Sequence, residues 1–304
     1  MLLSVCFVLL ASYCTARPLK EELWDHFVFT QEWPQSICWE LDYTEEEECM
    51  LPEKTNFWTI HGLWPSYQNT RGPNFCTKDK FNESLISPLE DQLIINWPNL
   101  KPNTGKYSFW KHEWDKHGTC ALSMDELDSE LKYFKKVLEL HKTFDVMKGL
   151  KEAGFGPSDK DSYQYEDLDA ALESVLGVKG MIMCYNPRNE PLQYLAQIEF
   201  CLDKSFQPMQ CPHHSYEASL ENPDQSLHRI SDFESTVLES KERNLHQVLK
   251  MRIHNKNNTN TFTGRSQSQE FKMRELRINI CSDKKEIMYP IIDHNQMNQI
   301  HSNS

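Results

Sequence analysis

"FWKHEWDKHGTC" occupies residues 109–120 and sets two histidines, two lysines, a glutamate and an aspartate among aromatic rings. His112-Glu113 begins like the H-E-x-x-H signature of zinc proteases, but the next histidine is His117, at i+5. On a helix that position lies about 140° around the axis, whereas two ligands on one face need i, i+4 spacing. The zinc reading fails on spacing, and no metal is expected. Glu113 and His117 are i, i+4, with Lys116 three residues after Glu113, so a carboxylate, an ammonium and an imidazole share one face. An amphipathic surface helix with ordinary charge pairs is the plain alternative. The interleaved Phe109, Trp110 and Trp114 argue against it.

A second stretch, "FWTIHGLWPSY" at residues 57–67, puts His61 inside an apolar, strand-like run. A lone histidine there is more often a satisfied core residue than a catalyst. Two aromatic-rich segments carrying histidines nevertheless supply what two-histidine acid–base catalysis requires: one neutral imidazole to take a proton and one charged to give it. A nearby lysine can stabilise the anionic phosphorane between them.

Working outward, "FVFTQEW" (27–33), "FWTIHGLW" (57–64), "KGMIMCY" (179–185), "LAQIEFCL" (195–202) and "RINIC" (277–281) read as strands. Helical patterns lie between them. Ser87-Pro88 can open a helix to about Trp97, and Asp125 can cap another in which Leu127, Leu131, Phe134 and Leu138 recur. A third, from Glu166 to Leu176, carries Leu168, Leu172 and Val175 on one side. Strands at both ends with helices in the middle indicate an α+β fold. The polar stretch at about 212–275, with one plausible helix near 231–253, reads as a partly flexible insertion on a finished domain, and a disordered tail is expected from about 292.

The first sixteen residues are uncharged, largely apolar, and end in Cys14-Thr15-Ala16, which reads as a secretory signal peptide too short to span a membrane. Residues 17–304 are then one domain, soluble and lumenal or extracellular, with no membrane partner. Eight cysteines remain in it, an even count that suggests four disulfides among 105 possible pairings. Sequons at Asn82 and Asn257 fit glycosylation in that compartment. A formal charge of −13 argues against gripping nucleic acid by bulk electrostatics. Between Lys241 and Arg277, however, nine Lys/Arg face three Glu, for which a solvated loop is the default reading and a basic arm the alternative.

Together the two histidine segments resemble the two active-site segments of the ribonuclease T2 family, the secreted acid ribonucleases of fungi, plants and animals. The resemblance continues through "FTQEWPQSIC", "KYFKKVLEL", "GVKGMIMC", "LAQIEFCL" and "INIC", and is most like the lysosomal animal branch. It covers roughly Phe27 to Cys211 and resumes at the last strand. It implies a central antiparallel sheet with packed helices, in a monomer that cuts single-stranded RNA without a cofactor, in an acidic or extracellular compartment. A secreted effector of this fold acting partly by binding is the alternative.

Carried over by position, the resemblance makes His61 the general acid for the leaving 5′-oxygen and His117 the base for the 2′-OH. His112 positions the phosphate, while Glu113 and Lys116 stabilise the pentacoordinate transition state. DNA lacks the 2′-OH and is not a substrate. Gln31, Trp64, Tyr67 and Phe109 match base-site positions, where aromatic rings stack on splayed bases; for Tyr67, packing around the motif is the equal alternative. Ser66 stands where fungal members often have Asp, which leaves base preference open. The family's pairing implies Cys38–Cys49, Cys76–Cys120, Cys184–Cys281 and Cys201–Cys211.

Overall fold

The structure is a computed structural model that describes residues 24–45, 49–68, 72–188, 190–212 and 278–294. The signal segment, the 231–253 helix, the basic stretch, Asn257, and nearly all of the insertion and tail lie outside the described residues. No helix among those described is long and apolar enough to cross a membrane.

The five apolar runs form the frame of one sheet. Strands β1 (His26–Glu32), β2 (Thr59–Ser66), β4 (Met181–Tyr185), β5 (Gln193–Leu202) and β7 (Ile278–Ile280) stand in the order β2-β1-β5-β4-β7, every neighbouring pair antiparallel. Three two-residue strands were not legible in the sequence: β3 (Ser162–Tyr163), β6 (Pro208–Met209) and β8 (Ile287–Met288). β8 pairs parallel to β5, the one departure from an antiparallel sheet among the described strands. Such short strands have no period of their own; tertiary pairing makes them.

One sheet face carries Phe27, Phe29, Ile60, Leu63, Ile198 and Phe200 into the main core, where Trp97, Trp110, Trp114, Tyr133 and Phe134 from the helices meet them. Edge-to-face contacts such as Phe29–Phe200 and Tyr133–Phe134 fill it. The other face packs Met181, Met183 and Ala196 against α1 (Pro34–Glu45), which starts on a proline as first helical positions allow.

Two helix starts differ from expectation. Pro88 sits in a 3₁₀ turn, Ser87–Leu89, that separates α2 (Glu83–Ile86) from α3 (Glu90–Asn96). The cap of this segment is Asn82, whose side chain accepts from Ser84 N at 3.2 Å. α5 (Glu130–Thr143) is capped by Ser129, not Asp125; Ser129 Oγ accepts from Lys132 N, while Asp125 gives only its carbonyl to Lys132 Nζ. The helix therefore begins after Leu127 and leaves Leu131 exposed, while Phe134 and Leu138 are buried. α6 (Val146–Glu152) and α7 (Tyr165–Leu176) follow, the latter with Leu168 and Leu172 buried and Val175 half-buried, as expected.

All four disulfides form in the expected pairing: Cys38–Cys49, Cys76–Cys120, Cys184–Cys281 and Cys201–Cys211. The third closes a separation of 97 residues, worth about 4 to 5 kcal/mol in the chain-entropy account. Asn82, the sequon residue within the described chain, is exposed.

Candidate active site

His61 owes its position to an extra residue. Thr30 pairs with Gly62 and Gln31 with Ile60, which leaves His61 as the unpaired residue of a β-bulge in β2. Ile60 and Leu63 both enter the main core, although strict alternation would put them on opposite faces. The bulge absorbs that change of phase and sends His61 and Gly62 to the face opposite the core. Gly62 cannot carry a side chain there: a Cβ would lie 2.2 Å from Trp64 Nε1 and 2.3 Å from Glu113 Oε2.

The second segment forms α4 (Ser108–Lys116). Before it, the Asn99 amide binds Thr104 Oγ1, Gly105 O and Ser108 Oγ at 2.9 to 3.0 Å, which fixes the entry to the helix. Trp110 and Trp114 anchor α4 in the main core. Glu113 is 1 % exposed, with Oε2 accepting from Trp64 Nε1 at 2.8 Å. His117 caps the helix, its backbone N–H bonded to Glu113 O at 3.0 Å. The Cys76–Cys120 bridge and Phe75 N, donating to Lys116 O, lay the 72–76 segment against this end.

The two segments converge on Trp64. Its ring lies 5.1 Å from the His61 ring and 5.2 Å from the His117 ring. Phe109 stands 5.7 Å from His61 on the far side. His61, Phe109, His112 and Glu113 line one pocket, which continues over Asn99, Lys101 and the apolar side chains of Ile37 and Leu41. Lys116 and His117 follow this cluster in sequence, 4 % and 9 % exposed, and neither is part of the pocket wall.

Three of the expected base-site residues, Gln31, Trp64 and Tyr67, do not line the pocket. Gln31 is buried on the core face, where its Nε2 donates to Phe144 O at 2.8 Å. Adjacent strand residues face opposite ways, so Glu32, not Gln31, reaches the pocket. Trp64 is almost fully buried and holds Glu113, leaving it little face for a base. Tyr67 is half-buried against the main core, the packing alternative.

Two site residues were missed. Glu32 Oε2 stands 3.3 Å from His61 Nδ1, and Gln197 Nε2 lies 2.9 Å from the same nitrogen. Burial first, and then the charge of Glu113, push the Glu32 carboxyl up to about 8, with a Gln197 hydrogen bond pulling the other way. The available signal was a glutamate and a glutamine inside apolar strand runs, since such residues are rarely buried without a partner.

The chain matches the Ribonuclease T2 family over residues 24–211. It is 38% identical over 191 residues to ribonuclease Oy of Magallana gigas, covering 62% of this chain and 87% of that protein. The crystal structure of human RNase T2 superposes with a TM-score of 0.53 at 36% identity, over 62% of this chain and 90% of that one. RNase NT in complex with 5′-AMP gives 0.54 at 32% identity, over 62% and 91%. The matched span contains both histidine segments, the bulge and all of the pocket lining except Ile278, and this chain belongs to the ribonuclease T2 family.

Proposed function

We propose that this endoribonuclease cleaves single-stranded RNA by attack of a ribose 2′-OH on its own 3′-phosphate. His117 takes the 2′-OH proton as the 2′-O–P bond forms, and His61 gives its proton to the 5′-oxygen as the P–O5′ bond breaks. The products are a 2′,3′-cyclic phosphate end and a 5′-OH end, with His117 left charged and His61 neutral. His112, Glu113 and Lys116 hold the phosphate and balance the charge on the pentacoordinate phosphorus. Phe109 offers a ring for a base, and the 5′-AMP bound by RNase NT supports a nucleotide site on this fold.

The observation that carries this reading is Trp64, whose ring contacts those of both His61 and His117 while its indole N–H binds Glu113. His61 and Glu113 line the pocket, and His117 contacts the same indole ring from the end of the second segment. Secretion to an extracellular or lysosomal compartment fits four disulfides. A single domain over 17–304 with an insertion at about 212–275 fits a family match ending at residue 211.

The test is digestion of single-stranded RNA in EDTA with analysis of the product ends. Cyclic phosphate termini at undiminished rate are expected. Cleavage that requires a divalent cation, or leaves 5′-phosphates, would overturn the mechanism.

A further inference from the structure

His61 is approached from two neighbouring strands by groups that the proposed reaction does not use. Glu32 from β1 and Gln197 from β5 both meet Nδ1, at 3.3 and 2.9 Å. With Nδ1 engaged on the sheet side, proton donation to a substrate falls to Nε2. Gln197 can serve either state of Nδ1 by rotating its amide, accepting through the oxygen or donating through the nitrogen. Glu32 can favour only one: an ionised carboxylate at this distance stabilises a proton on Nδ1 and therefore the imidazolium.

We propose that Glu32 is a positioning residue for His61, its carboxyl sharing a proton with Nδ1 so that the imidazole stays charged to a higher pH than it would alone. The assignment rests on the proposed role of His61 as general acid. Glu32 is 4 % exposed, and water competes little for the contact. Burial and the charge of Glu113 raise its carboxyl to about 8, so it and the imidazole compete for the same proton. The pair together therefore holds one proton near neutrality, and an approaching phosphate draws that proton toward His61.

Other charged groups face the pair. Glu113 from α4 adds negative charge and raises the proton affinity of Glu32. His112 from the same helix and Lys101 from the preceding segment oppose it when charged, and Glu40 of α1 lines the same pocket. Glu199 lies two residues along β5 from Gln197, on the same strand face. Glu32, at 3.3 Å, is within ion-pair distance of Nδ1, where a charge acts most strongly.

The experiment compares wild-type, Glu32→Gln and Glu32→Asp proteins for kcat/KM against pH on a dinucleotide, and for the His61 ring titration followed by NMR. Glu32→Gln should move the alkaline limb, and the His61 midpoint, down by about one pH unit or more. The deficit relative to wild type should therefore grow about tenfold between pH 5 and pH 7.5. Glu32→Asp should recover part of the shift. Parallel profiles and an unmoved His61 midpoint would overturn the proposal and leave Glu32 a packing residue. His61→Ala separates the two levels: wild-type cleavage unaffected by His61→Ala would sink the reaction scheme. The NMR midpoint would still decide the Glu32–His61 pairing.

Discussion

Trp64 Nε1 reaches Glu113 Oε2 at 2.8 Å across 49 residues of sequence, a single hydrogen bond joining the strand of His61 to the helix of His117. Both atoms are buried, so the carboxylate has this indole in place of water. A hydrogen bond to a charged group is worth about 1.5 to 3 kcal/mol. Trp64→Phe keeps most of the ring against both histidines and removes only the donor. The thermal midpoint in calorimetry should fall, because a buried acceptor loses its donor. In steady-state kinetics at a temperature well below unfolding, kcat should fall between about ten- and a hundredfold. A loss seen wholly in KM would mean that Trp64 acts on binding instead.

Replacing either His61 or His117 by Ala should cost at least about a hundredfold in kcat/KM, with circular dichroism unchanged. The double variant should be little worse than either single one, because an acid without its base already breaks the concerted proton transfer. Near-normal turnover in either single variant removes that residue from the chemistry.

Gly62→Ala places a methyl group 2.2 Å from Trp64 Nε1 and 2.3 Å from Glu113 Oε2. Relief requires moving the indole, the carboxylate or both. Overpacking of this kind costs about 1 to 3 kcal/mol in stability. Activity should fall further than in Trp64→Phe, since the carboxylate is displaced as well as deprived of its donor. Kinetics at a temperature well below the unfolding transition would check this.

The raised carboxyl of Glu32 has a sign in folding. Its folded value, about 8, lies above the ordinary carboxyl value of 4.5, so its stabilising contribution is full below pH 4.5 and is lost as pH rises through 8. Buried His26 and His141, both held below the ordinary imidazole value mainly by burial, act oppositely and lose stability as pH falls through their lowered values. Comparing urea denaturation of wild type and Glu32→Gln between pH 4.5 and 8 reads Glu32 together with its effect on His61. The slope difference should approach, at most, about 1.4 kcal/mol per pH unit. Identical slopes would mean that Glu32 ionises in the fold as freely as in the unfolded chain.

Deleting residues 215–269 should leave folding and dinucleotide cleavage intact. Cys211 is tied to Cys201 near one end of β5, and Ile278 pairs with Tyr185 near its other end, about 24 Å away at strand rise. The remaining residues, 212–214 and 270–277, span about 36 Å when extended. Failure of this variant to refold would show that the insertion is part of the domain.

The sheet and the two histidine segments were legible because their residues carry local signals: alternating or continuous apolar runs, and polar groups at helical spacing among tryptophans. Glu32 and Gln197 were not, although both stand in correctly read strands. Their meaning depends on β1 and β5 being neighbours and on a bulge that turns His61 toward them, and pairing across 136 residues leaves no periodic trace. The same phase explains Gln31: one residue along β1 exchanges the pocket for the core. Asp125 lost its expected role to Ser129 because either could cap, and the packing of Phe134 and Leu138 chose the start.

Cys281 binds the last part of the chain to β4 through Cys184. A protease that cut anywhere between residues 213 and 277 would therefore release nothing: the catalytic body and the segment carrying β7 and β8 would remain one covalent molecule. Such a nicked enzyme would migrate as a single band without reductant and as two fragments with it. After a single such cut, separating the two pieces takes reduction of one disulfide as well as a broken backbone.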